Sequence, residues 1–120
     1  MRTDVTVTVL DDLRIVRVAG EFDADETDAL TERLALPPEG SGGTIVDLAD
    51  VTFADSSLLH TLLTAQADHV RAGIPLVLVR LSPFVERLLD LTDTARAFRV
   101  AGGVPEAADL IRTDDAGVGP

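Results

Sequence analysis

The run VTFADSSLLHTLL, Val51 to Leu63, gathers a carboxylate, two hydroxyls and an imidazole: Asp55, Ser56, Ser57 and His60. Three kinds of chemistry use those groups. A serine with a nearby base and an acid to orient it can act as a nucleophile. A serine beside the free N–H groups of a helix start can carry a phosphate. Asp55, Ser56 or Ser57 can also simply cap the helix that follows, since each accepts a bond from a first-turn N–H. Capping accounts for the residue types, but two serines exceed what one cap needs. The run also follows a strand-like segment, and parallel crossovers collect functional loops at one edge of a sheet. A phosphate on Ser56 would lie at the positive end of the helix dipole and add about −1.5 to −2 charges without unfolding the domain.

The nucleophile reading is the weaker one. No Gly-x-Ser-x-Gly elbow is present, and the order and spacing of Asp55, Ser56 and His60 argue against a triad. Ser56 and His60 share only an i, i+4 relation on one helix face. His60 and His69 fall about half a turn out of phase, so one helix cannot present both to a metal. Each is read as a solvated histidine. Asp23 and Asp25 lack further cation ligands, and GSGG lacks the lysine and following helix of a phosphate loop. The chain is not expected to be an enzyme, and no metal or cofactor is expected.

The elements that must position these groups follow from patterning. Val5, Val7 and Val9 alternate with Thr6 and Thr8, which predicts a half-buried strand; Asp11-Asp12 turns it into a second strand, Leu13–Ala19, ended by Gly20. Leu30 and Leu34 stripe a helix within 25–36, with Asp25 or Thr27 as its cap. PPEGSGG is a loop, and TIVDL, Thr44 to Leu48, reads as a central strand. Leu59, Leu62, Leu63 and Val70 mark the buried face of the helix after Ser57, and Gly73 ends it. That phase turns Leu58 about 100° from the buried stripe, partly exposed beside Ser56, where it could anchor a partner. Ile74–Leu81 is another buried strand; Ser82 caps a helix with Pro83 at its first position and Val85, Leu88 and Leu89 buried. A short edge strand at 98–100 and a helix over 105–112 complete the domain, 1–112, and 113–120 is expected to be a disordered acidic tail. Alternating strands and helices after a hairpin predict a mixed sheet covered by helices.

Composition narrows the function. With 120 residues, 46% hydrophobic, the chain can build one core. The absence of cysteine excludes disulfides and thiolate chemistry. A net charge of −11 makes nucleic acid and anionic membrane poor partners. The acidity serves solubility first, and a basic partner surface second. No membrane span or signal sequence is evident, so a cytoplasmic protein is expected. The pattern leaves the oligomeric state open.

Three segments resemble one family. VDLADVTFADSSLL is similar to the strand, Asp-Ser-Ser-Gly-Leu turn and helix of STAS domains of the anti-sigma factor antagonist type. VAGEFDADET resembles that family's Gly-Glu-Leu-Asp segment, and LSPFVERLLDLTD its later Ser-Pro helix, in the same order over Val5 to Arg112. The resemblance implies an α/β fold: a single STAS-like domain with a mixed four- to five-stranded sheet packed against about four helices. It implies a partner switch acting on transcription, as in stress response or sporulation. The unphosphorylated antagonist binds a serine-kinase anti-sigma factor, phosphorylation releases it, and a phosphatase resets it. Ser56 would be the phosphoacceptor, with Asp23, Asp55 and Ser57 as partner contacts. A STAS scaffold or binding module without phosphorylation is the alternative. Leu58 stands where the family usually has Gly, and His60 where a small residue is common.

Overall fold

The computed structural model describes residues 4–117. Two strands, β1 (Asp4–Leu10) and β2 (Leu13–Phe22), form an antiparallel hairpin about the Asp11-Asp12 turn. β3 (Gly43–Ala54), β4 (Leu76–Val79) and β5 (Arg99–Ala101) add in parallel, giving one sheet of order β1-β2-β3-β4-β5. The connections are α1 (Thr27–Arg33), α2 (Ser56–Ala72) and α3 (Pro83–Leu91), and α4 (Val104–Gly117) follows β5. The mixed sheet and four helices are those expected. α4 passes the expected boundary at Arg112 into the stretch read as a disordered tail; residues 118–120 lie outside the described residues.

Each face of the sheet has its own core. One gathers Val16, Val18, Phe22, Val46 and Leu48 with Leu30 and Leu34, Leu58 and Leu62 of α2, and Val85 and Leu89 of α3. The other seats Ala107, Ala108 and Ile111 of α4 on Leu13, Ile45, Val77 and Val79. The stripes expected at Leu30/Leu34 and Val85/Leu89 are therefore the buried ones, and Leu88 packs at the margin. Ser82 accepts from the Val85 N–H at 3.2 Å with Pro83 opening the helix, as expected. β1 departs from expectation. Val5 is partly buried against the helix-side core, but Val7 and Val9 are exposed, because β1 is an edge strand and only its Val5 end packs against that core.

Gly20 does not end β2. Its φ of +91° lies where only glycine is unstrained, and the β2–β3 register shifts between Gly20 and Glu21. The strand bends there and continues to Phe22, which brings the residues after it alongside the end of β3.

The phase of α2 is the main correction. Its buried residues are Leu58, Thr61, Leu62, Ala65 and His69, while Val70 is exposed and Leu59 and Leu63 are only partly buried. Leu58 is thus core, not a surface anchor, and His69 is not solvated. The imidazole is held at both ends: Nδ1 lies 2.8 Å from the Ala65 carbonyl and Nε2 2.9 Å from Thr44 Oγ1. Arg14 Nη2 in turn donates to Thr44 Oγ1 at 3.0 Å. These bonds close consistently for a neutral ring that donates from Nδ1 and accepts from the threonine hydroxyl. Burial pushes the His69 pKa down; the Arg14 charge acts the same way, against the Ala65 bond and Asp68.

That shift has a sign. An unfolded histidine takes up a proton near pH 6.5, and the folded one does so only at lower pH. Stability from His69 is therefore complete above about pH 6.5 and is lost as pH falls toward the folded value. Replacing His69 with Gln is expected to cost about 1–3 kcal/mol at neutral pH. The wild-type advantage should shrink in urea titrations below pH 6.5. A constant difference between the two proteins would exclude this linkage.

Candidate functional site

The parallel strands β2 and β3 end side by side. Phe22 pairs with Ala54, and the Asp55 N–H donates to the Phe22 carbonyl at 3.3 Å, so the two acidic turns occupy adjacent strand ends. At the first, Asp23 Oδ1 accepts from the Asp25 N–H at 3.0 Å, opening a short 3₁₀ turn before α1. At the second, Asp55 has extended backbone and its Oδ1 accepts from the Ser57 N–H at 2.8 Å. The Leu58 N–H adds a bond to the Asp55 carbonyl at 3.2 Å. Asp55 alone is the N-cap.

This division of roles leaves the serines for other work. Ser56 is exposed at the first position of α2, and Ser57 is partly buried behind it. Both line a shallow open depression with Thr27 and His60. His60 is exposed, and among the described residues no hydrogen bond links it to Ser56. The Asp55 carboxylate is engaged with the helix backbone instead of orienting an imidazole. The parts of a triad are near one another without its geometry.

Of the residues singled out in the sequence, the fold brings Asp23, Asp55, Ser56 and Ser57 to one edge. Leu58 begins on the same turn but points into the core. Exposed Asp25 and Asp28 extend the acidic surface along the start of α1. A phosphate here would add charge to an edge that is already negative.

Periodicity gave no warning of Phe53 and Phe84. Phe53 lies just before Asp55 on β3, and Phe84 in the first turn of α3. Their rings meet at 5.4 Å between centroids, tilted by 48°, with the residues 46% and 37% exposed. In a chain with four phenylalanines and neither Trp nor Tyr, two of the four touch at the surface, one of them three residues before Ser56 in the chain. Such a pair is apolar surface of the sort that anchors a partner. The one sequence signal was an aromatic placed just before a polar capping run.

Comparison with known proteins agrees with the architecture. The family model described as STAS domain matches residues 4–107. A Thermotoga maritima protein described as a candidate anti-sigma factor antagonist superposes with a TM-score of 0.79 at 22% identity, over 90% of this chain and 94% of that one. The anti-sigma factor antagonist SpoIIAA in its unphosphorylated form gives a TM-score of 0.72 at 17% identity, over 92% and 97%. A sulfate transporter family protein from Wolinella succinogenes gives 0.74 at 21%, over 88% and 89%.

Proposed function

Because the chain belongs to the STAS domain family, we propose that it is an anti-sigma factor antagonist switched by phosphorylation at Ser56. In the unphosphorylated state the edge bearing Asp23, Asp55, Ser56 and Ser57 docks on a serine-kinase anti-sigma factor in the cytoplasm and frees the sigma factor. Phosphate on Ser56 ends that contact, and a phosphatase restores it. The observation that carries this reading is the capping arrangement: Asp55 satisfies the helix start, so the exposed Ser56 hydroxyl can be modified without loss of the cap. The acidic surround selects a partner that is basic at the contact.

Incubated with its cognate kinase and ATP, the wild type should gain one phosphate and Ser56→Ala none, with the variant folded as before. Phosphate mapped to Ser57 would place the switch on the wrong residue. Ser56→Asp should leave thermal stability unchanged or raise it by about 0.3–1 kcal/mol, since an acid suits a helix N-terminus. The same charge in a desolvated contact should weaken partner binding about tenfold or more by calorimetry.

The likeness to a sulfate transporter family protein supports a second reading, a STAS module that docks without phosphorylation. Binding that is the same for wild type and Ser56→Asp, with no phosphate incorporated, would favour it.

A further inference from the structure

β1 is an edge strand, and among the described residues no strand pairs with its outer side. Leu10 and Leu13 flank the two-residue turn, so theirs is a hydrogen-bonded pair, and antiparallel alternation passes the same role to Thr8, Thr6 and Asp4. Val5, Val7 and Val9 therefore direct their N–H and C=O groups outward. Sheet edges are normally guarded by charge, proline or a bulge. Val5–Leu10 has no charge and no proline, and its register with β2 is unbroken. Val7, Val9 and Leu10 are 38%, 68% and 49% exposed.

The order Val5-Thr6-Val7-Thr8-Val9 reads the same from either end. Two antiparallel copies centred on Val7 would place Val7 against Val7, Val5 against Val9 and Thr6 against Thr8. The phase also fits, because the valines that would meet are those with outward backbone groups, and each meeting pair can exchange two hydrogen bonds. Asp4 would face Leu10, so no like charges oppose one another. Sliding the register by two residues keeps the phase but loses one valine–valine pair, setting Val5 against Asp11 in one direction and Val9 against Thr3 in the other.

We propose that this chain forms a two-fold homodimer through β1, joining two five-stranded sheets into one. The pairing leaves the Ser56 edge open and sets the two copies of that edge facing opposite ways along the strands. It does not depend on how Ser56 is used. One strand pair covers less than the roughly 1,200 Å² of a standard interface, so the dimer is weak and concentration-dependent.

Sedimentation of the full chain from micromolar to millimolar concentration tests this. The apparent mass should rise from 12.7 kDa toward twice that value. Amide exchange by NMR on the wild type should show protection at Val5, Val7 and Val9 growing with concentration, while that at Thr6 and Thr8 stays constant. Val7→Asp and Val7→Lys should each remain monomeric, and their equimolar mixture should regain the dimer, because residue 7 faces its own copy. A wild type that stays monomeric throughout, or concentration-dependent protection confined to other strands, overturns the proposal. A dimer that survives Val7→Asp also overturns it. Should either variant unfold by circular dichroism, the wild-type exchange pattern decides alone.

Discussion

Leu58→Ala is expected to lower the free energy of unfolding by about 2–5 kcal/mol and to leave the partner affinity of the folded protein unchanged. Leu58 is fully buried in the cluster that also contains Phe22, Leu30 and Leu62, so truncation removes apolar contacts and leaves a cavity. A typical domain has only about 5–15 kcal/mol to lose, so the effect should be plain in urea titrations. Restoring the family's glycine should cost still more, adding about 1 kcal/mol of helix propensity to the cavity. Calorimetry on the folded fraction separates the possibilities. A small stability change with a large affinity loss would return Leu58 to the surface and contradict its burial.

Phe53→Ala and Phe84→Ala are expected to produce the opposite pair of results. Both rings are partly exposed and touch each other, Phe53 at the end of the strand that leads into Ser56. Each truncation should weaken binding to the proposed anti-sigma partner by about 1–3 kcal/mol, roughly five-fold to a hundred-fold. Folding stability should fall by less than a buried phenylalanine would cost, about 3–5 kcal/mol. Because the rings contact each other, the double variant should lose less than the sum of the single losses. Unaltered affinity in the double variant would remove the aromatic pair from the interface and leave only the polar edge.

Much of this protein was legible along the chain because the signals were local. The hairpin at Asp11-Asp12, the Ser82-Pro83 helix start, the Gly73 stop and the Asp55 cap each depend on neighbours within a few residues. The same locality brought Asp55, Ser56 and Ser57 to a strand–helix join before any contact was known. Gly20 was misread because a glycine that ends a strand and one that bends it look alike; its pairing with Val51 shows that the strand runs on, and its positive φ and the register shift after it mark the irregularity.

The face that α2 buries was not a local matter. Two phases compete along that helix, Leu59-Leu62-Leu63-Val70 and Leu58-Leu62-Ala65-His69, and both have helical spacing. Hydrophobicity favours the first, because the second buries an imidazole. The fold adopts the second, since Thr44, distant in sequence, supplies a hydroxyl to His69 at 2.9 Å and removes the cost of burying it. In that phase Leu58 faces the core and Val70 lies in solvent. The exposed Phe53–Phe84 pair has the same origin, since only the β3–α3 arrangement brings those rings together. Sequence by itself determined the elements, their order and the polar residues at the join, because propensity, capping and turn chemistry act over a few residues. Tertiary structure decided which side of each element faces the core, because that choice depends on whether a distant partner satisfies the polar group being buried.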